Sequence, residues 1–414
     1  MATLNSFALL LGLLLKRLSG KTPPTSKRRQ FLLGHIDLFD RLIEAMSDVK
    51  QPVVWFHAAS LGEYAVVRPL MRKMREEGRF VVLTFFSSSG YDAIADLLPD
   101  RRDADYVCYL PLDTRGHARK FIRIVRPDCA VFAVSEYWPC FFFELFKANV
   151  PVYILSVRIG RRSYLLKWWA KPFVRLLRQV TAIFVHDEAS LRMLHNLGIE
   201  QCVLTGDPLF DNALRMAASP YEDERVHRFT EKSHRVLVVG SLHDAKDLSL
   251  VAAAANADKM LRVICVPHEI SQERLLGIKA AFEGKTVLYS ECDAHTDFSA
   301  VQVLVIDFIG ALARLYRYGN LAYVGGGFTP YLHSVIEPLV YGLPVAFGPR
   351  TERKWVAQRM AREELGSVVQ NASQLQTFLQ AYNSVEKLEA YKAKALQFVH
   401  LHRGATQQIA QYIL

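Results

Sequence analysis

The sequence predicts an α/β protein with two doubly wound, Rossmann-like domains. Three observations support this fold class: a length of 414 residues, an alternation of short β-branched segments with amphipathic ones, and a polar stretch that divides this alternation into two series. A single hydrophobic core rarely grows beyond roughly 250–300 residues, so the length favours two domains. Strands that alternate with helices are typical of parallel sheets with crossover helices.

The first series of strands defines a predicted N-terminal domain, residues 31–216. Its β-branched segments are Val53–Phe56, Phe80–Phe86, Cys129–Val134, Val152–Leu155, Ala182–Val185 and Cys202–Thr205. In doubly wound sheets, ligands bind beyond the carboxyl ends of the strands. We therefore expect the functional residues in the turns that leave these strands.

A polar stretch without a strand-like run separates the two series. It predicts a linker, residues 217–234, between the domains. A C-terminal domain, residues 235–390, is predicted from a second series of strands: Arg235–Val239, Leu261–Val266, Thr286–Leu288, Val301–Ile306, Leu321–Val324 and Pro344–Phe347. Residues 391–414 have a helical pattern and could pack back on the N-terminal domain.

The N-terminus predicts contact with an anionic membrane surface. The apolar run Phe7–Leu15 is about half as long as the roughly 20 residues that a spanning helix needs. Basic residues follow this run, whereas a secretory signal begins with them. The 51 Lys and Arg residues exceed the 41 Asp and Glu residues, and this net charge of +10 favours polyanionic partners or an anionic membrane surface. We expect residues 1–30 to associate with the membrane; the alternative is an amphipathic helix packed on the protein's own core.

A second stretch, Arg161–Leu177, also predicts a membrane-facing surface. It interleaves basic residues with Trp168, Trp169 and Phe173, and aromatic rings favour the depth of lipid headgroups. An ordinary amphipathic helix that faces the core is the alternative.

The cysteine pattern and the dispersion of basic residues exclude other classes of site. The six cysteines form no CxxC pair and no Cys/His cluster, which argues against a zinc site and a disulfide framework. This usage favours a reducing cytoplasm. No nucleic-acid-binding module is recognisable, so we do not expect nucleic acid as a partner.

Two turns in the first half could carry chemistry. In HAASLGE, small residues including Gly62 leave Glu63 accessible at the end of a strand, where it could accept a proton from an alcohol. Ser60 and Glu63 also have the spacing of a helix capping box, which is the structural alternative. In SEYWP, Ser135 and Glu136 accompany a tryptophan and form either a sugar-binding platform or part of a core.

Two turns in the second half could bind a nucleotide. Gly240 and Ser241 precede a helix start, which favours phosphate, although the S-x-x-D spacing of Ser241 and Asp244 also fits a capped helix. Gly325–Gly327 would allow a ligand to approach the backbone closely. Glu337 follows Ser334 at another capping spacing and could also accept the hydroxyls of a ribose.

The order of these motifs resembles a known family. HAASLGE, SEYWP, GDPLFD, GSLHD, DFIGALARLY, VGGG and HSVIEPLVYGLPVAFGP occur in the order and at roughly the spacing of the bacterial 3-deoxy-D-manno-octulosonic acid (Kdo) transferases. This resemblance implies a GT-B fold, in which two Rossmann-like domains face a central cleft. It implies CMP-Kdo as the donor and the lipid A precursor (lipid IVA) as the acceptor. Transfer would invert the anomeric carbon without a metal ion or cofactor, at the cytoplasmic face of the inner membrane.

The resemblance also implies roles for individual residues. Glu63 would be the general base, and Ser60, Gly62, Ser135 and Glu136 would lie on the acceptor side. The donor would be contacted by a larger set: Pro267, His268, Ile309, Gly310, Ala311, Ser334, Val335, Ile336 and Glu337, with Gly240 and Ser241 near its phosphate. The chain departs from the family pattern at Val134, Pro267, Ala311 and Ser334. A UDP-sugar transferase or epimerase, or a non-catalytic lipid-binding protein of the same shape, remains an alternative.

Overall fold

The structure is a computed structural model that describes residues 34–134, 136–160, 163–231, 233 and 235–414. The chain divides into two compact units. The first extends to Asn212 and includes Arg403–Leu414, and the second comprises Ala213–His402. The expected membrane segment, residues 1–30, lies outside the described residues. Among those described, no helix is long and apolar enough to cross a membrane.

The first unit is a seven-stranded parallel sheet covered by helices. Its strands are β1 (Val53–Ala58), β2 (Phe80–Phe85), β3 (Tyr106–Tyr109), β4 (Cys129–Ala133), β5 (Val152–Val157), β6 (Ala182–Val185) and β7 (Cys202–Leu204). Its helices are α1 (Leu38–Met46), α2 (Leu61–Glu76), α3 (Ser88–Ile94), α4 (Pro99–Arg102), α5 (Arg115–Val125), α6 (Pro139–Lys147), α7 (Lys171–Leu177) and α8 (Glu188–Asn196). Tyr164–Leu166 and Trp168–Ala170 form short 3-10 turns.

The strand order of the first sheet is β3-β2-β1-β4-β5-β6-β7. Val54 pairs with Val81 of β2 on one side and with Cys129 of β4 on the other. The chain reverses its direction across the sheet between β1 and β4, which is where doubly wound sheets place their ligands. All residues of β1 and β4 are buried, as expected for strands covered on both faces.

The second unit repeats this architecture. Its strands are β8 (Val236–Leu242), β9 (Arg262–Pro267), β10 (Lys285–Leu288), β11 (Val301–Val305), β12 (Leu321–Val324), β13 (Val345–Phe347) and β14 (Gly366–Val368). Helix α9 (Pro208–Ala218) enters the unit, followed by α10 (Glu224–Thr230), α11 (Ala245–Asn256), α12 (Gln272–Ala281), α13 (Leu312–Leu315), α14 (Ile336–Leu339), α15 (Trp355–Arg362), α16 (Ala372–Ala381) and α17 (Val385–His402). Tyr289–Glu291 and Tyr316–Tyr318 are 3-10 turns.

The second sheet has the order β10-β11-β9-β8-β12-β13-β14, and every pair is parallel. Its reversal lies between β8 and β12, where Val324 pairs with Gly240. The predicted α/β class with two Rossmann-like domains is therefore confirmed. Each predicted strand coincides with an observed one, whereas β3 and β14 were not predicted.

The segment predicted as a linker is packed structure. Within residues 217–234, helix α10 buries Val226 and Phe229 against the second sheet. The C-terminal segment is also divided: α17 ends at His402, Gly404 adopts φ 97°, and α18 (Ala405–Ile413) follows. Only α18 belongs to the first unit, where Ile409 joins its core.

Candidate active site

Glu63 lies where strand β1 turns into helix α2. The helix begins at Leu61, and Ser60 is its N-cap residue, but the Ser60 side chain accepts no capping hydrogen bond. The Glu63 carboxylate instead accepts a hydrogen bond from the backbone N–H of Ala59, with an N to O distance of 2.5 Å. The predicted capping box is thus half formed. Glu63 fixes the turn, yet it remains partly exposed beyond the carboxyl end of β1.

The environment of Glu63 strengthens it as a base. Burial and, to a smaller extent, the nearby carboxylate of Glu136 raise its pKa from 4.5 to about 8, although the N–H groups of Ala59 and Ser60 act in the opposite direction. A general base works best when its pKa lies near the working pH. Once ionised, a carboxylate with this pKa holds a proton more tightly than an ordinary glutamate does.

Glu136 reaches the same edge from the loop after β4. Its carboxylate accepts a hydrogen bond from Trp138 Nε1 at 3.1 Å, and the same oxygen lies 3.8 Å from His57 Nε2. His57 is fully buried in β1, and its ring meets the Trp138 ring edge to face with centroids 5.3 Å apart. The loop therefore joins an acidic group to a buried imidazole.

The other predicted acceptor-side residues differ in placement. Gly62 is exposed and Ser60 is half-buried beside Glu63. Ser135 lies outside the described residues. Val134, which precedes it, adopts φ 57°, a left-handed conformation that is unfavourable for a β-branched residue. Strain of this kind often occurs at functional sites.

In the second unit, a buried aspartate ties two loops together. Asp247 of α11 accepts hydrogen bonds from Tyr323 Oη at 2.6 Å and from the Gly326 N–H at 2.7 Å. The helix is capped by Asp244, whose side chain accepts from the N–H groups of Lys246 and Asp247. The predicted Ser241 cap is therefore wrong. Asp247 holds the turn after β8 against the glycine loop after β12.

The three glycines allow close packing of the loop. A Cβ on Gly325 would clash with the Ser241 carbonyl oxygen, and one on Gly327 would lie 2.5 Å from the Gly348 nitrogen. Gly326 adopts φ 85°. Neighbouring backbone therefore fills the space that a side chain would take, and close approach of a ligand to this loop stays a prediction. Gly240 is similarly packed, since a Cβ there would meet the Tyr316 hydroxyl at 2.0 Å.

Three histidines converge at the carboxyl edge of the second sheet. His243 follows β8, His268 follows β9 and His333 follows β12, and one ring nitrogen of each lies within 4.8 Å of the other two. The His243 and His268 rings are stacked, with centroids 5.0 Å apart. Burial, with smaller electrostatic contributions from His268, His243 and Lys354, lowers the pKa of His333 to about 3. The cluster therefore contains an imidazole that is neutral at physiological pH.

This cluster could hold either a transition-metal ion or an anion. Three imidazoles are suitable ligands for zinc. However, the ammonium group of Lys354 acts on His333 with the same sign as a cation, and repulsion from it disfavours a metal. Imidazole N–H groups together with an ammonium group favour phosphate or carboxylate instead.

Glu337 lies in the first turn of α14, and Lys354 interacts with both Glu337 and His333. The helix starts after Val335, and no side chain caps it, so the predicted Ser334 cap is wrong. Burial outweighs the attraction of Lys354 and raises the pKa of Glu337 to about 7. Its role in binding ribose hydroxyls stays a prediction.

The remaining donor-site candidates fall into two groups. Ile309 and Gly310 are exposed in the loop after β11, and the Ile309 side chain is 79% accessible. The side chains of four others are buried in the domain core: Pro267, Ala311, Val335 and Ile336. These four can meet a ligand only through the backbone.

Sequence reasoning did not assign His57, His243 or His333 to the site. The last two both follow glycine residues that the sequence analysis had singled out: His243 comes directly after β8, and His333 lies in the longer loop after β12. Three histidines that follow three strands of one sheet would have been a usable signal. His57 gave no such signal because its position within a strand suggests a core residue.

Comparison with known proteins identifies the first unit. Residues 37–212 match the family model of 3-deoxy-D-manno-octulosonic-acid transferase (kdotransferase). The chain is 25% identical over 368 residues to the 3-deoxy-D-manno-octulosonic acid transferase of Chlamydia trachomatis serovar D, covering 86% of this chain and 84% of that protein. It is 24% identical to the Rickettsia typhi enzyme of the same name, with 84% and 76% covered.

Solved structures confirm the fold class. UDP-GlcNAc 2-epimerase from Neisseria meningitidis superposes with a TM-score of 0.60 at 13% identity, covering 87% of this chain and 98% of that one. An identity this low supports the fold alone, and it agrees with the predicted GT-B class. Residues 37–212 match the Kdo transferase family model, and the chain is similar over most of its length to curated Kdo transferases, which supports a glycosyltransferase.

Proposed function

We propose that this glycosyltransferase moves Kdo from CMP-Kdo to a glucosamine hydroxyl of the lipid A precursor, in lipopolysaccharide core biosynthesis. The observation that carries the proposal is Glu63, a carboxyl group with a pKa of about 8 at the end of a central strand in the family-matched unit. Its role as general base rests on this environment. The names of the curated relatives support Kdo as the transferred sugar.

In the proposed reaction, Glu63 takes the proton of the acceptor hydroxyl. The hydroxyl oxygen bonds to the anomeric carbon of Kdo while the bond from that carbon to the CMP phosphate oxygen breaks, and CMP leaves with the bonding electrons. Attack on the face opposite the leaving group inverts the anomeric configuration. Groups that stabilise the growing charge on the departing phosphate accelerate this step.

The second unit would supply the donor site. His243, His268 and His333 offer ring N–H groups to the phosphate of CMP or to the Kdo carboxylate, with Lys354 adding positive charge. Glu337 would accept the ribose hydroxyls. Hydrogen bonds to charged groups of this kind contribute about 1.5–3 kcal/mol each.

We further propose that the protein works on the cytoplasmic face of the inner membrane. In the first unit, the Trp168 and Trp169 side chains are 82% and 50% exposed, and Lys167 and Lys171 flank them. Exposed tryptophans beside cations suit lipid headgroups. The double variant Trp168→Ser, Trp169→Ser should bind anionic liposomes more weakly, whereas Leu98→Ser, Leu401→Ser, at exposed apolar positions elsewhere, should not. Equal liposome binding by both variants would reject this surface.

The central experiment incubates the purified protein with CMP-Kdo and a tetraacylated lipid A precursor. Mass spectrometry of the lipid should show a gain of one or more Kdo units. A parallel thermal-shift titration compares CMP with UDP, because a ligand that binds only the folded state stabilises it. Stabilisation by UDP alone, with no Kdo on the lipid, would support the UDP-sugar alternative instead.

A further inference from the structure

His57 has a partner on each side of its ring. Its Nδ1 lies 2.9 Å from the Thr84 hydroxyl oxygen, and its Nε2 lies 3.8 Å from the Glu136 carboxylate. The ring is fully buried, and no described residue forms a hydrogen bond with Nε2. A buried polar nitrogen without a partner is costly and calls for an explanation.

The Thr84 hydroxyl restricts where the ring protons can lie. It accepts the indole N–H of Trp55 at 2.9 Å, and its own single proton can go to the Phe56 carbonyl oxygen at 3.2 Å or to His57 Nδ1. If the proton goes to Nδ1, the neutral ring must carry its own proton on Nε2. If it goes to the carbonyl, Nδ1 is a donor, and a bare Nε2 would direct its lone pair at a carboxylate.

In the first arrangement no lone pair faces the carboxylate, because Nε2 of the neutral ring carries the single ring proton. This proton converts the approach to Glu136 into an attractive N–H to carboxylate contact, which needs a movement of about 1 Å to reach normal hydrogen-bond length. Glu136 already accepts from Trp138 Nε1. Two donors would then hold this carboxylate in a fixed position.

We propose that His57 is a positioning residue whose Nε2–H, together with Trp138, holds Glu136 as a fixed negative charge beside Glu63. Its effect on the reaction rests on the proposed function of Glu63. Two neighbouring carboxyl groups cannot both ionise freely, so anchoring the charge on Glu136 makes Glu63 the stronger base. His57 would thus act on the reaction through two carboxylates without touching the substrate.

The charged and titratable neighbours of this pair are few among the described residues. Glu136 faces His57 from the loop after β4, and Glu63 interacts with Glu136 from α2. Tyr164 interacts with Glu136 from the 3-10 turn after β5. A phenol is neutral at the working pH, so it does not replace the anchoring role of His57.

The proton itself can be observed by ¹⁵N NMR of protein labelled at histidine, with the His57 signals assigned from their absence in His57→Gln. We expect a protonated Nε2 at pH 7 whose resonance shifts in Glu136→Gln. A bare Nε2 would overturn the proposal. This measurement needs no activity, so it stays informative if His57 variants fold poorly or if Glu63 is not the base.

Kinetics tests the consequence. Asparagine can replace the Nδ1 contact but not Nε2, whereas the glutamine amide reaches the Nε2 position. In His57→Asn and in Glu136→Gln, Glu63 should be a weaker base. The acid limb of the plot of kcat/KM against pH should therefore move to lower pH by about one unit, and the plateau rate should fall. The pH profile of His57→Gln should stay near that of wild type. The control His195→Asn, at an exposed position on helix α8, should also keep the wild-type profile. An acid limb unchanged in both His57→Asn and Glu136→Gln would overturn the proposal.

Discussion

The two units share one fold but place opposite chemistry at the same edge of their sheets. Both sheets reverse direction beside their central strand, β1 in the first and β8 in the second. At this edge the first unit presents the carboxyl groups of Glu63 and Glu136, and the second presents a histidine cluster. The fold thus fixes where a site can lie, and the turn residues decide what it does.

Burial shifts the key group of each edge toward its neutral form. It raises the pKa of Glu63 to about 8 and lowers that of His333 to about 3. A carboxyl group with a raised pKa is a stronger base in its ionised form. An imidazole with a lowered pKa stays neutral near pH 7 and keeps one N–H donor. The same physical cause therefore suits one edge to proton transfer and the other to binding.

The largest expected effect separates these two roles. Glu63→Gln keeps the shape of the side chain but removes its basicity, so transfer of Kdo should fall about 10²- to 10⁴-fold, the usual contribution of a general base. CMP binding should be unchanged because Glu63 belongs to the other unit. Product formation is measured by mass spectrometry and CMP affinity by calorimetry.

Glu188→Gln is the matched control. Glu188 occupies the first turn of α8, as Glu63 does in α2, but its side chain is exposed and pairs with Arg192. It should transfer Kdo at the wild-type rate. Full transfer activity in Glu63→Gln would contradict the proposal that the first edge transfers the proton while the second edge binds the donor.

The sequence revealed both edges but not how their loops pack. Alternation and chain length predicted the two sheets, and Glu63 and Glu337 were proposed as site residues because each follows a strand. The packing of the glycine loop could not be predicted, because the sequence shows that a Cβ is absent but not that the Gly348 backbone fills its space. The Ser241 and Ser334 caps were wrong because S-x-x-[DE] spacing does not determine which residue begins a helix.

The next effect falls on the second unit. In His333→Ala, donor affinity should weaken about 10- to 100-fold, which corresponds to roughly 1.5–3 kcal/mol for one hydrogen bond to a charged group. At saturating CMP-Kdo the transfer rate should fall less than it does in Glu63→Gln. Calorimetric titration with CMP measures the affinity directly.

His295→Ala is the control for this change, since His295 is exposed on the same unit. It should bind CMP with wild-type affinity. Equal affinity in His333→Ala and wild type would move the donor phosphate away from the histidine cluster, leaving Glu337 as the anchor to test.

The smallest expected effect is on stability and concerns Glu63 again. Its pKa is raised from 4.5 to about 8 on folding, so the folded state binds this proton more tightly than the unfolded state does. The stabilisation is complete below about pH 4.5 and is lost as pH rises toward 8. A glutamine at this position is uncharged at every pH, so the variant lacks this pH dependence.

The melting temperature of Glu63→Gln, relative to wild type, should therefore increase between pH 5 and pH 8. Each kcal/mol moves the melting temperature of a 150–250-residue domain by roughly 2–4 °C, which sets the scale of the difference. Because Glu63 is partly exposed, water reduces the effect below what full burial would produce. A variant that is less stable than wild type at pH 8 would mean that the Ala59 hydrogen bond outweighs the burial of the charge. Glu63 would then contribute more to the stability of the turn between β1 and α2 than to the reaction.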